Sequence, residues 1–286
     1  MSLPPLDVPE LLKRHGLRPN KRLGQNFLID PVALGRIVQI AEIDPQDAVL
    51  EIGPGLGGLT RLLAERARSV VAVEIDANLI GPLREVVAGM ENVKIVQGDI
   101  LGLDPAELIE ADSEQAGPGY LVVANIPYYI TSALIRHLLE ARVQPTRMVL
   151  TVQREVADRL TAEPGDMSLL ALSVQVYGQP EIKARIPAGA FFPPPNVDSA
   201  VVRIDLYPEP RIPAQDLDFF FRLAKAGFSQ KRKTLRNTLA GGMRWSKEAA
   251  GEALESAGID PMRRAETLSL DEWARLVEVV RASPLE

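Results

Sequence analysis

The chain has 286 residues, a net charge of −6 and no cysteine, and 46% of it is hydrophobic. That length suits one large domain plus a small one, and the missing cysteines exclude disulfides and thiolate metal sites. With two histidines (His15 and His137) a His-based catalytic set is improbable, no apolar run reaches a membrane span, and MSLPPLDVPE lacks the basic-then-apolar order of a signal peptide, so a soluble cytoplasmic protein is expected.

The first twenty residues are expected to form an N-terminal extension, disordered in part. Residues 11–22, LLKRHGLRPNKR, hold Lys13, Arg14, Arg18, Lys21 and Arg22 and no acid. From about residue 44 short β-branched runs alternate with helical patterns. Ala48–Ile52, Ser69–Glu74, Val93–Val96, Tyr120–Ala124 and Met148–Val152 read as strands. Helices are expected over 59–66, 78–87, 130–141 and 154–161. Such alternation predicts a parallel sheet covered on both faces, and the unbroken apolar character of the strands agrees. Leu170–Tyr177 and Ala200–Leu206 read as strands that could pair antiparallel at the sheet's edge. YPEPRIPAQD (207–216) is rich in proline and reads as a linker. Beyond it only helical spacing remains, broken at Gly241-Gly242 and Gly258. Ser269 with Glu272 three residues later marks a helix start. The expected organisation is an α/β domain over 21–207 and a small all-helical domain over 208–286. A second acid-free run, 219–247, carries Arg222, Lys225, Lys231, Arg232, Lys233, Arg236, Arg244 and Lys247. Two such runs in a chain of pI about 5.2 point to a localised footprint for a polyanion.

Ligand-type groups stand at successive strand ends, where open α/β sheets bind ligands. Glu51-Ile-Gly-Pro-Gly-Leu-Gly-Gly58 leaves the first strand, and Gly53 and Gly55 let the backbone approach a ligand closely. The spacing is GxGxG, and no Lys-Ser/Thr pair follows, so a phosphate-cradling loop is excluded. Glu74 ends the second strand, placed to accept both hydroxyls of a ribose. Asp99 follows the third and could accept from an adenine amine, with Ile75 and Ile100 flanking the ring. The set points to S-adenosylmethionine, its carboxylate facing the loop amides, and to no metal.

Asn125-Ile-Pro-Tyr-Tyr129 closes the fourth strand. An exocyclic amine on a base is a poor nucleophile because its lone pair is delocalised into the ring. Hydrogen bonds from that amine to the Asn125 oxygen and a carbonyl near Pro127 would draw the nitrogen toward tetrahedral geometry, so catalysis would be positioning and electrostatics. Tyr128 offers a stacking face worth roughly 1–3 kcal/mol to an unstacked base. Phe191 or Phe192, in the proline-stiffened AFFPPPNVDS, offers a second.

RLGQNFLID (22–30), EIGPGLGGLT (51–60), VEID, GDIL, NIPYY, FFPPPNVDSAVVR and FSQKRKTLRN (228–237), in this order over nearly the whole chain, resemble the rRNA adenine N6,N6-dimethyltransferases. The likeness is greatest to the branch acting on two adjacent adenines near the 3′ end of small-subunit rRNA. The resemblance implies a Rossmann-like methyltransferase sheet whose cofactor site is lined by Asn26, Leu28, Gly53, Glu74, Asp99 and Asn125. It implies that Asn125, Tyr128 and Phe191 hold the target adenine. It implies RNA contact from the C-terminal domain, where Lys231, Arg232, Lys233 and Arg236 lie; Lys21 and Arg22 are the N-terminal candidates. The expected partner is 16S rRNA in an immature small subunit, bound by a monomer. Residues 164–170 (PGDMSLL) depart from the aromatic-Gly pair of many relatives. A large-subunit rRNA methyltransferase of the antibiotic-resistance type would share these motifs, and KRKTLRN favours the small-subunit branch. Intact NIPY and Glu74 argue against a non-catalytic assembly factor. A nicotinamide dehydrogenase would need a pyrophosphate loop, which is not evident.

Overall fold

All five residues of Ala48–Ile52 and all six of Ser69–Glu74 are buried, as strands covered on both faces must be. In the computed structural model, which describes residues 3–110 and 119–282, they are β1 and β2 of a seven-stranded sheet. The others are β3 (Val93–Gln97), β4 (Tyr120–Asn125), β5 (Arg147–Gln153), β6 (Gly178–Ile186) and β7 (Ser199–Leu206), and the order is 3-2-1-4-5-7-6. β1 pairs parallel with β2 and β4, β2 with β3, and β4 with β5. β7 runs antiparallel to β5, with Val201 opposite Thr151. Strand order reverses between β1 and β4, and a ligand crevice opens at such a switch point.

The helices of this part are α1 (Val8–Arg14), α2 (Pro31–Ala41), α3 (Thr60–Ala64), α4 (Ala77–Val86), α5 (Pro105–Glu110), α6 (Thr131–Leu139) and α7 (Arg154–Leu160). α1 corrects the expectation of a disordered tail over its span. Asp7 Oδ1 accepts from Glu10 N at 3.0 Å, and Val8, Leu11 and Leu12 bury into a cluster with Phe27, Leu56 and Leu79. His15 bonds Glu85 and His137 bonds the Leu103 carbonyl, so neither faces a catalytic partner. No helix of the described residues is long and apolar enough to cross a membrane.

The expected strand Leu170–Tyr177 is instead helix α8 (Leu169–Gln175), started by Ser168, whose Oγ accepts from Ala171 N at 3.1 Å. A short apolar run does not separate helix from strand by periodicity alone, and the serine cap decides it. The neighbour of β7 at the edge is β6, whose alternating exposure and Pro180 suit an edge strand.

The chain divides into two compact units, one of Met1–Ala157 with Pro180–Leu206, the other of Asp158–Gln179 with Tyr207–Glu286. Residues 158–179, expected within the α/β domain, thus group with the helices. The second unit holds α8, α9 (Leu217–Gly227), α10 (Leu235–Met243), α11 (Lys247–Ser256) and α12 (Leu270–Ala282) around the fully buried Trp273. The Ser269–Glu272 signal is a reciprocal capping box: Glu272 N donates to Ser269 Oγ at 3.2 Å and Ser269 N to Glu272 Oε2 at 2.8 Å. Gly241 and Gly242 do not break the chain but lie inside α10. A Cβ on Gly242 would stand 2.5 Å from that of Ala226, so glycine here permits close helix packing rather than a turn. Gly258, at φ +72°, does follow the end of α11.

Candidate active site

The glycine loop leaves β1 with Gly53, Gly55 and Gly57 at φ +69°, +58° and +85°, the left-handed region open to glycine. Gly55 meets a steric demand as well, since a Cβ there would lie 2.9 Å from the Phe27 ring. The loop turns back on Glu74. Its Oε2 accepts from Gly55 N at 3.0 Å and its Oε1 from Asp76 N at 2.9 Å. Glu74 is 4% exposed, and burial raises its pKa while the two amides oppose the rise. An ionised carboxyl has about four acceptor sites, so two remain for hydroxyls of a ligand.

A second strap crosses from the N-terminal side. Gln25 Nε2 donates to Asp76 Oδ2 at 2.7 Å, and Phe27–Leu28 pairs antiparallel with Phe191–Phe192. This ladder joins RLGQNFLID to the FFPPP loop, two motifs far apart in sequence. At the end of β4, Asn125 Nδ2 donates to the Asn26 carbonyl at 3.1 Å. With its nitrogen committed there, Oδ1 is the acceptor that the amide has left to offer. Tyr128 shares a 2.7 Å hydrogen bond with Ser199 Oγ, and burial raises the phenol pKa, so it stays neutral.

One cavity brings together Asn26, Leu28, Gly53, Gly55, Glu74, Ile75, Asn125, Pro127 and Tyr128. Asp99, Ile100 and Phe191 do not line it. Asp99 is exposed and its Oδ1 caps the turn Ile100–Gly102 by accepting from Leu101 N at 3.0 Å. Phe191 is 2% exposed and packs with Leu28 in the core, so the aromatic residues lining the cavity are Phe27 and Tyr128.

Glu51 also lines the cavity, without any role assigned from sequence. It is 1% exposed, its Oε2 has no hydrogen-bond partner, and burial drives its pKa to about 8, the Thr60 hydroxyl opposing and the charge of Glu74 adding. A carboxyl in the middle of the fully buried strand AVLEI was the available signal, because an unpaired buried acid is costly unless a ligand partners it.

These features fit S-adenosylmethionine. A ribose would meet Glu74, a carboxylate the loop amides, an ammonium Glu51, and an adenine ring the half-exposed Ile75. Glu74→Ala is expected to weaken cofactor binding about tenfold to a hundredfold, the worth of hydrogen bonds to a charged group. Calorimetry reads it, and an unchanged affinity would take Glu74 out of the ribose site.

A mostly parallel sheet in this order, with a glycine loop after its first strand, an acid after its second and an amide after its fourth, defines a Rossmann-like S-adenosylmethionine-dependent methyltransferase. The model of the ribosomal RNA adenine dimethylase family matches residues 16–282, and the chain belongs to that family. It is 47% identical over 269 residues to ribosomal RNA small subunit methyltransferase A of Dehalococcoides mccartyi, covering 93% of this chain and 90% of the relative. The protein of that name from Pelotomaculum thermopropionicum is 46% identical over 281 residues, covering 96% and 95%. Among solved structures, a dimethyladenosine transferase from Plasmodium falciparum superposes with TM-score 0.74 at 25% identity, over 91% of this chain and 98% of its own. The 23S rRNA methyltransferase ErmE superposes with TM-score 0.72 at 31% identity, over 90% and 100%.

Proposed function

We propose that this protein dimethylates the N6 amines of two adjacent adenines near the 3′ end of 16S rRNA, acting as a cytoplasmic monomer on an immature small ribosomal subunit. The small-subunit names of the relatives at 46–47% identity support the substrate class. The observation that carries the chemistry is the Asn125 amide, anchored through its nitrogen to the Asn26 carbonyl in a cavity shared with Glu74.

S-adenosylmethionine, when bound, supplies an electrophilic methyl group. In the first transfer Asn125 Oδ1 and a carbonyl near Pro127 accept the two N6 hydrogens, and in the second one of them accepts the single hydrogen left; either way the nitrogen is held so that its lone pair leaves conjugation with the ring. Tyr128, tied to Ser199, presents its ring to the base. Phe191 acts from behind, fixing its own strand against Leu28. No side chain need remove a proton before attack, because the methylated nitrogen becomes cationic and acidic. That suits a site built without histidine.

RNA contact is assigned to Lys21 and Arg22 on the turn Lys21–Leu23, and to Lys231, Arg232 and Lys233, all five exposed, with Arg236 beside the latter. Charge reversal at 231–233 is expected to weaken rRNA binding and to lower the slope of log affinity against log salt by about 2, given roughly 0.7–0.9 per phosphate contact. An unchanged slope would mean that these residues are only solvated.

The test of the function is methyl transfer from labelled cofactor to small subunits lacking the modification, with large subunits in parallel. Label in two adjacent dimethyladenosines of small-subunit rRNA is expected. Label in large-subunit rRNA alone would move the protein to the resistance-type activity. No label despite cofactor binding would defeat the proposal.

A further inference from the structure

Tyr129, the second tyrosine of NIPYY, has no part in the chemistry above. It is 59% exposed and is the only aromatic among the large exposed hydrophobics of the described residues. Its ring is nevertheless seated. Gly24, at φ +61°, lies under it: a Cβ on Gly24 would stand 3.3 Å from the ring's Cδ1 and 3.6 Å from Pro127 Cβ. Gly24 closes the turn Lys21–Leu23 by donating its N–H to the Lys21 carbonyl. The ring therefore abuts the turn that carries Lys21 and Arg22, whose side chains are exposed and form no ion pair with described residues. Gly24 and Pro127 also line the cavity, which puts Tyr129 at its rim.

A seated, exposed ring beside two cations is what binds single-stranded nucleic acid: the ring stacks a base and the cations take the backbone. We propose that Tyr129 stacks the nucleotide flanking the adenine held at Asn125, with Lys21 and Arg22 on the adjoining phosphate. Resting on the proposed function, this makes the flanking base the neighbouring adenine of the pair, parked one residue from the reacting one. The tyrosine hydroxyl has no task in this role, so a phenylalanine should serve.

The test compares adenosine with the dinucleotide ApA, titrated into protein saturated with S-adenosylhomocysteine. Wild type should bind ApA about tenfold more tightly than adenosine, the scale of one stacked base. Tyr129→Phe should keep that ratio and Tyr129→Ala should bring it close to one, with S-adenosylhomocysteine affinity reporting that each variant is folded. A ratio near one in wild type, or a ratio that survives Tyr129→Ala, would overturn the platform while leaving the adenine site standing. Wild type that binds neither probe would overturn the proposed function and the platform with it.

Discussion

Asn125→Ala is expected to slow methyl transfer by about 10²–10³-fold, the usual loss when one fixed hydrogen-bonding group is taken from a transition state, and to weaken cofactor binding far less. Asn125 lines the cofactor's cavity, so some loss of affinity is expected. The larger effect falls on transfer because its oxygen acts on the amine and not on the cofactor. Single-turnover transfer and calorimetry on the same preparation separate the two, and equal losses would contradict the amine-positioning role. Asn125→Asp should do no better. Its second oxygen would face the Asn26 carbonyl that the amide nitrogen now holds at 3.1 Å.

Glu51→Gln is expected to abolish a pH dependence of cofactor binding. With its pKa near 8, Glu51 is protonated in the free protein at neutral pH. An ammonium group at its orphaned oxygen requires the ionised form, so binding must expel a proton. Affinity should therefore rise with pH below about pH 8, approaching about tenfold per unit, and fall again above it as the ligand's own α-amino group, whose ordinary pKa is about 8, loses its proton. The Gln variant should bind more weakly and without that slope. Stability of the free protein moves the other way. The folded carboxyl keeps its proton between its usual value of 4.5 and about 8, whereas the unfolded one releases it. The native state thus binds more protons across that window, and stability falls as pH rises through it. Glu51→Gln should remove this decline, leaving the free variant more stable than wild type at pH 8. A flat wild-type affinity profile would mean that Glu51 is not the ammonium partner.

The sheet was legible because its strands are unbroken apolar runs whose ends carry the ligand-type residues. Ala48–Ile52, Ser69–Glu74 and Tyr120–Asn125 appear within one residue of the reading. β6 escaped because GQPEIKARI alternates and contains proline, which suits an edge but resembles a loop. Leu170–Tyr177 was misread because its apolar side chains satisfy either period, and the deciding signal was Ser168. Of the site, the glycine loop, Glu74 and Asn125 were placed by position at strand ends. What sequence did not disclose was contact between distant segments. The Phe27–Leu28 pairing with Phe191–Phe192 sets Leu28 against Phe191 and buries that phenylalanine, which the family resemblance places on the target base. The Asn26 carbonyl's hold on Asn125 lies 99 residues away in the chain and leaves no mark on either motif.

In the proposed mechanism the Asn125 amide, oriented through its nitrogen, presents its oxygen to the N6 amine of an adenine drawn into this cavity. A crystal structure with a stable cofactor analogue and adenosine tests it directly. The N6 nitrogen is expected within about 2.6–3.2 Å of Asn125 Oδ1, with the Tyr128 ring against the base and Nδ2 still on the Asn26 carbonyl. A base bound outside the cavity, or an amide turned so that Nδ2 faces it, would rule out this role for Asn125.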